Sequence, residues 1–587
     1  MELLKSEIQP LVEAALESLG VDASLVERML QPARETDQGD LSLPCFPFAK
    51  ALGMAPVAIA EQVKEAMTEH EAIHDVNAVN GYLNIRANPV WLAGRLLGGD
   101  VRHMASGSRR EVLIEHTSAN PNGPFHVGRA RNAILGDTLV RLHRLWGDSV
   151  TAEYYVDDMG KQVAVLAWAL ENMSGEDVET LLAEREPANP QWVDKADHQR
   201  VRWYQAAQLM RKESDQSEAI EKAIGDLVHA SEHGDEAVLD SFQNAYQPVL
   251  DGMLETLGRL GIGFDRFTKE SVFVTNGDVA RLMETLGSLD INGVADNGAQ
   301  FLDLGQRGLK GKTEFFYRRG DGSSLYATRD IAYHQWKWTQ CNELINVLGE
   351  DHKLQAQQVG LTLEELGERR PEVMFYSFIK LPEGKMSTRR GNVVFMDDLL
   401  EEAHAHAVEV LKERRPDLSA DAMATIAEAV GTSAVRFNII SVSPEKGFTF
   451  RWEDALSFEA GSAPFIMYSH TRACSIQRKV LEADASFADG RPTPSIPDQV
   501  MPDGLVQLLR MLAVHDDRLA KVVREHRPNL YAEYMLQLST AYNSFYRDCY
   551  IIDEGNVNPF YFAVSELART TLREGMVGLG IVPIETM

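Results

Sequence analysis

His126 and Arg129 stand with Gly128 in the run Phe125-His126-Val127-Gly128-Arg129, which follows an apolar segment and opens a helix-patterned one. Imidazole and guanidinium donors at a helix N-terminus hold phosphate oxygens, and a glycine between them lets a base and its ribose approach the backbone. A second candidate is Gly384-Lys385-Met386-Ser387-Thr388-Arg389-Arg390-Gly391-Asn392. Across 380–392, Lys380, Lys385, Arg389 and Arg390 face only Glu383, a local charge of 4 − 1 = +3. Cations on a glycine-flanked loop suit stabilisation of charge developing on a transferring phosphorus. Taken alone, His-x-Gly is a weak signal, and the second run reads equally well as a solvated basic loop.

The elements that must carry these residues are legible from hydrophobic period. Val112-Leu113-Ile114 reads as a buried strand, and a helix over about 128–146 carries Ile134, Leu135, Leu139, Leu142 and Leu145 and stops at Gly147. The alternation over 149–156 is that of a strand. Strand, helix and strand form a βαβ unit, which implies a parallel sheet with ligands beyond its carboxyl edge. Strand patterns return at 343–349 and 373–379. Between about 170 and 290 the chain is charged and mostly helical, too long for a connection and so an insertion. Residues 1–105 read as a small α+β unit, with helices around 2–19, 25–31 and 56–68, a break in the helical pattern at Pro10, and one strand over 79–88. After about 400 the pattern is helical almost to the end.

A chain of 587 residues with 44 % hydrophobic and 25 % charged residues can bury several cores, which excludes general disorder. Lys+Arg is 58 and Asp+Glu is 87, a net charge of −29 that argues at first sight against a nucleic-acid binder. The four cysteines form no Cys-x-x-Cys pair, so neither a disulfide framework nor a thiolate zinc site is expected. No apolar run reaches the roughly 18 residues needed to cross a bilayer, and the first residues have helical rather than signal-peptide spacing. The expectation is a cytoplasmic protein.

Together and in this order, the two basic motifs resemble the HIGH and KMSKS signatures of class I aminoacyl-tRNA synthetases. The surrounding runs narrow the likeness to arginyl-tRNA synthetases: Glu115-His-Thr-Ser-Ala-Asn-Pro-Asn-Gly-Pro-Phe-His-Val-Gly-Arg, Glu153-Tyr-Tyr-Val-Asp-Asp-Met-Gly-Lys-Gln162, Tyr326-Ala-Thr-Arg-Asp330, Asp454-Ala-Leu-Ser-Phe-Glu and Ala463-Pro-Phe-Ile-Met-Tyr-Ser-His-Thr-Arg, with Gly39-Asp-Leu-Ser-Leu-Pro near the start. The resemblance covers essentially the whole chain and is poorest in the insertion. It implies a Rossmann-like α/β catalytic domain over 106–400, an N-terminal α+β domain over 1–105 that touches the D-loop of tRNA, connecting stem-contact helices over 401–455, and an all-α anticodon-binding bundle over 456–587.

That family joins L-arginine to ATP as arginyl-adenylate, generally only with tRNA present, and passes the arginyl group to the 3′-terminal adenosine of tRNA(Arg). The likeness implies that Phe125, His126, Gly128, Arg129, Lys385, Met386 and Ser387 meet ATP, with His126, Arg129, Lys385 and Arg389 catalytic. Asp330 and Tyr326 would take the guanidinium, Glu115, Ser118 and Asn120 the α-amino end, and His352 would lie against the substrate. Tyr82, Asn84, Arg472, Arg518 and Lys521 would meet tRNA. Mg²⁺ is implied with ATP, no resident metal and no zinc are, and the protein is expected to be a monomer. The chain departs from the usual motifs at Arg129, where a second histidine is usual, at Thr388, where lysine is, and at Asp157, where asparagine is common. Those departures keep open an alternative, a tRNA-binding relative without catalysis. Basic residues are gathered locally: over 518–527, Arg518, Lys521, Arg524 and Arg527 against Glu525 give 4 − 1 = +3.

Overall fold

A computed structural model describes residues 1–33, 38–99, 110–183, 189–213, 215–380, 394–457, 461–488, 495–497 and 500–587. The N-terminal unit contains α1 (Glu2–Ser18), β1 (Leu41–Pro44), α2 (Pro56–Ala66), β2 (Ile73–Val79), β3 (Tyr82–Ala87) and α3 (Pro89–Leu97). Helix α1 runs unbroken through Pro10. The missing ladder bond is offset by burial of Leu4, Ile8, Val12, Ala15 and Leu16 along one face. The stretch read as one strand over 79–88 is the second half of a hairpin. Asn80 and Gly81 have φ of 52° and 82° and turn β2 antiparallel onto β3, the conformation an Asn-Gly pair favours.

The central sheet is built from β4 (Glu111–Glu115), which leads into α4 (Val127–Trp146), and from β5 (Ser149–Val156), which leads into α5 (Lys161–Asn172). The chain then leaves the sheet for α6 (Ala196–Glu213), α7 (Ser217–Glu232) and α8 (Glu236–Arg259). It rejoins the sheet at β6 (Arg266–Lys269), inside the stretch expected to be insertion throughout. Two-stranded pairing with β5 alone leaves β6 too short to announce itself by period. After a small three-stranded antiparallel sheet come α9 (Tyr326–Trp338), β7 (Glu343–Gly349), α10 (Lys353–Glu365) and β8 (Glu372–Tyr376). The order is β8-β7-β4-β5-β6, all parallel. Successive strands run outward from β4 in one direction, then resume on its other side with β7, so the sheet has its switch point between β4 and β7. Val112, Leu113 and Ile114 are at most 1 % exposed, as a strand covered on both faces requires.

The rest is mostly helical, with two short two-stranded pairings: α11 (Met396–Arg414), α12 (Ala420–Ile440), α13 (Ala463–Ala483), α14 (Asp503–Ala513), α15 (His515–Glu525), α16 (Pro528–Asp548) and α17 (Pro559–Leu579). The bundle docks on α4 through a buried ion pair. Arg436 of α12, 1 % exposed, donates to Asp137 Oδ2 of α4 at 2.7 Å, to Leu260 O after α8 at 2.8 Å and to Leu579 O of α17 at 3.2 Å. Helix α4 also lies close under the end of β4. A methyl group on Gly136 would stand 2.2 Å from His116 Cβ, so only glycine fits there.

Two outcomes follow from these contacts. Arg436→Met should destabilise the fold by about 3 kcal/mol, because it leaves Asp137 and two buried carbonyls short of a donor; an unchanged urea midpoint would show the pair to be dispensable. His116 is 1 % exposed and its imidazole is pushed down to about 4, chiefly by burial, with Arg436 adding to and Asp137 opposing the effect. Unfolded, it titrates near about 6.5. Between those values the unfolded chain binds a proton that the folded chain refuses, so stability falls as pH falls through this window, by about 3 kcal/mol in all. His116→Gln should remove that share of the slope in urea midpoints taken from about pH 7 to about pH 4.5.

Candidate active site

A cavity of about 500 Å³ opens at the carboxyl ends of β4, β7 and β8, where the switch point places it. Its wall includes Glu115, Ser118, Asn120, His126, Gly128, Arg129, Tyr326, Asp330 and His352. Nine residues proposed from motifs spread over some 240 positions of sequence (352 − 115 = 237) therefore share one chamber. Phe125 is buried behind the wall at 1 % exposure. Lys385, Met386, Ser387 and Arg389 lie outside the described residues.

At the α4 end of the cavity, His126 is the N-cap of α4. Gly128 leaves room for its ring: a Cβ there would meet His126 Nδ1 at 3.0 Å. Burial, with Arg129 adding, pushes the His126 imidazole down to about 4, so it is neutral near pH 7 and offers one N–H and one lone pair. Arg129 donates to Asn120 O at 3.4 Å and supplies the permanent charge. Asn120 Nδ2 in turn donates to Asp157 Oδ2 and Gln162 Oε1, both at 3.0 Å. Burial raises the Asp157 carboxyl above its ordinary range, the Gly160 N–H partly opposing.

The loop after β4 is held in an unusual conformation. Thr117 and Ser118 have φ of 70° and 36°, left-handed backbone that costs a non-glycine residue about 1–3 kcal/mol. Three bonds impose it: Thr117 N to Asn132 Oδ1 at 2.7 Å, Tyr155 N to Ser118 Oγ at 3.1 Å, and Ser118 Oγ to Glu115 Oε1 at 3.1 Å. The turn aims Glu115 and Ser118 at the same part of the cavity.

At the other end, Tyr326 and Asp330 begin α9 and do share a face. Tyr326 is 46 % exposed, and the cavity is what it is exposed to. The face continues to His334 and Lys337, which motif reasoning missed although they fall four and seven residues beyond Asp330. His334 Nδ1 lies 2.8 Å from Asp330 O and 3.1 Å from its Oδ1, while its Nε2 accepts from Asn346 Nδ2 at 2.7 Å. The amide fixes the proton on Nδ1. Burial alone would raise the Asp330 carboxyl, but His334 foremost, then Lys337 and His352, outweigh it and hold it below the usual range. Asp330 is therefore an anion in a buried setting, matched to a planar cation. Lys337, fully buried, donates to Glu115 Oε2 at 2.6 Å and to Asn346 Oδ1 at 3.1 Å. Glu115 thus faces the cavity with its charge already balanced. His352 is half exposed, with Gln355 Oε1 3.1 Å from Nδ1.

The residues proposed to meet tRNA lie elsewhere. Tyr82 is 41 % exposed at the start of β3, edge-on to exposed Phe46 at 5.4 Å. Asn84 is only 8 % exposed and accepts from Ser42 Oγ at 2.7 Å. Arg472 of α13 stacks between Tyr468 and Tyr546, 4.7 Å from each ring, and donates to Asn543. Arg518 and Lys521 are exposed on α15.

Comparison with known proteins agrees with this arrangement. Residues 93–452 match the family described as tRNA synthetases class I (R), catalytic domain. Residues 6–87 match Arginyl tRNA synthetase N terminal domain, and 466–587 match DALR anticodon binding domain. A protein of Methanocella arvoryzae named arginine–tRNA ligase is 40 % identical over 562 residues, covering 94 % of this chain and 95 % of its own. One of the same name from Archaeoglobus fulgidus is 38 % identical, covering 94 % and 96 %. The solved arginyl-tRNA synthetase of Thermus thermophilus shares the fold, with a TM-score of 0.78 at 24 % identity over 99 % of this chain and 100 % of that one. Matched along its length by these relatives and over most of its catalytic part by the family description, the chain belongs to the arginyl-tRNA synthetase family.

Proposed function

We propose that the protein is an arginine–tRNA ligase, which activates L-arginine with ATP and passes the arginyl group to the 3′-terminal adenosine of tRNA(Arg). The observation that carries this reading is one cavity lined by the anionic Asp330 with Tyr326 and by His126 with Arg129, the first pair proposed for the guanidinium and the second for the phosphates. Arginine would lie between them with its guanidinium on Asp330 and its α-ammonium near Glu115, Ser118 and Asn120. The α-carboxylate then points toward the helix α4 end and attacks the α-phosphorus of ATP, pyrophosphate leaving. Positioning and charge stabilisation carry such a step. Neutral His126 contributes a hydrogen bond and Arg129 a fixed positive charge, so the arginine in place of the usual second histidine suits the role. Lys385 and Arg389 are proposed to add cations there, and Mg²⁺ is proposed to arrive on the ATP phosphates as part of that substrate.

Discrimination follows from the same pocket. A substrate lacking the guanidinium leaves the Asp330 carboxylate unpaired in a buried place, which supports roughly 10⁴-fold rejection without an editing site. Tyr82, Arg472, Arg518 and Lys521 are proposed tRNA contacts, on exposure and charge. Asn84 is the least available of the proposed contacts. The reading also makes the protein a cytoplasmic monomer, as its family likeness implies.

Arginine-dependent pyrophosphate exchange, measured with and without tRNA(Arg), tests the assignment. Exchange is expected when tRNA is present; none even then would favour the non-catalytic alternative. Asp330→Asn should raise KM for arginine by on the order of 10² or more, with the larger part of the effect in KM. A change under about threefold would remove Asp330 from the guanidinium pocket.

A further inference from the structure

The insertion matches family motifs least, yet its side chains converge on two carboxylates of α11, Asp397 and Asp398. The short turn Pro190–Trp192 and the start of α6 face the first turn of α11. Asp398 Oδ1 accepts from Asn189 Nδ2 at 3.0 Å and Trp192 Nε1 at 2.9 Å. Asp397 Oδ2 accepts from Lys195 Nζ at 2.8 Å and His198 Nε2 at 2.9 Å, and its Oδ1 accepts from Thr256 Oγ1 of α8 at 2.8 Å. Asp397 is 1 % exposed and His198 6 %. Burial pushes the Asp397 carboxyl upward, but these donors outweigh it and leave an anion below the usual range.

Asp197, His198 and Asp397 could in principle surround a metal ion. Lys195 Nζ already stands 2.8 Å from Asp397 and 3.4 Å from Asp197, so an ammonium fills the cationic position and the group is an internal ion-pair network.

What the network grips leads directly to the cavity. One residue before α11, Phe395 packs edge-on to the His198 ring at 5.2 Å. Phe395 also forms an isolated antiparallel bridge with His126. On either side, Met396 N donates to Phe125 O at 2.7 Å and Val127 N to Val394 O at 2.9 Å. The backbone that aims the His126 ring is thus hydrogen-bonded to a three-residue segment whose far end is pinned by the insertion.

We propose that Lys195, His198 and Asp397 are positioning residues for adenylate formation: they lock 394–396 in place and, through it, set His126 at the nucleotide end of the cavity. This rests on the site assignment above. Displacing a reacting group's partner by about 1 Å is enough to cost about 10²-fold in rate, whereas Glu115 and Asp330 sit on β4 and α9 and are not carried by this segment.

The test compares His198→Ala, His198→Gln and Asp397→Asn in the full-length protein, by pyrophosphate exchange with tRNA(Arg) and by tRNA binding. His198→Ala and Asp397→Asn should lower kcat about 10- to 100-fold, with KM for arginine and tRNA affinity within about twofold. His198→Gln, whose amide N–H replaces the Nε2–H, should recover most of the loss. Should either of the first two variants fail to fold, Trp192→Phe removes one of the two donors to Asp398 and the indole beside His198 while keeping an aromatic ring there, and should lower kcat about threefold on the same pattern. Activity within about twofold of the parent in the folded variants overturns the proposal, as does a loss in which arginine KM or tRNA affinity moves with kcat, or one that glutamine does not rescue. His126→Ala is measured alongside; if it leaves kcat unchanged, the site assignment itself falls and this proposal with it.

Discussion

The His126 side of the site is referred to one helix, α4, and that helix is tied down by the buried pair Asp137–Arg436. Helix α4 presents His126 and Arg129 from its first turn and Asn132 from its second. Its flank carries Asp137, which accepts from Arg436, and the same guanidinium also donates to the carbonyls of Leu260 and Leu579. Arg141, on the next turn, adds a second bond to Asp137 at 2.7 Å. A buried ion pair contributes little net stability when compared with an apolar contact of equal volume, but it tolerates only one geometry. The consequence is that the end of the insertion, α12 and the last helix of the chain are registered on the same scaffold as His126 and Arg129.

A second economy of charge operates inside the cavity. Glu115, Asp330, Lys337, His334 and Asn346 form a continuous chain in which each donor is spent. Asn346 donates to His334 Nε2 and accepts from Lys337, which in turn neutralises Glu115. That leaves Asp330 as the anion at the α9 end, held by the His334 ring N–H but bonded to no ammonium or guanidinium among the described residues. Under the proposed assignment, a cationic substrate side chain is then drawn to Asp330 rather than shared between Asp330 and Glu115.

The parts of this arrangement that could be read from sequence are those encoded in local period. Helix α4 and strands β4, β5 and β7 carry unbroken apolar patterns, and the loops that follow β4 and precede α4 bear the distinctive polar residues. What could not be read depends on distant partners. Lys337 looks like a surface lysine on α9 until Glu115 and Asn346 are brought against it. Strand β6 is four residues long and gains its identity from pairing with β5. Pro10 breaks a helical pattern on paper but not in a helix whose opposite face is buried. The Asn80–Gly81 turn was the exception, a local signal for a hairpin that is easily absorbed into the strand it ends.

Net charge is the property whose meaning changes most between sequence and fold. The value of −29 counts every basic residue equally, yet Arg131, Arg329, Arg436, Lys195 and Lys337 are buried or nearly so and satisfied by carboxylates or carbonyls inside the protein. Such cations hold elements together and present no field to a polyanion. The cations that face outward, among them Arg518, Lys521 and Arg524 along α15, stand on an acidic surface. Because phosphate attraction is summed over a Debye length of roughly 8–10 Å rather than over the whole molecule, a local ridge of cations attracts phosphates even on a chain of negative net charge, which is the ground on which α15 is proposed to meet tRNA. An acidic protein built this way is selective by default: an RNA gains attraction only if its shape brings phosphates to those few positions at once.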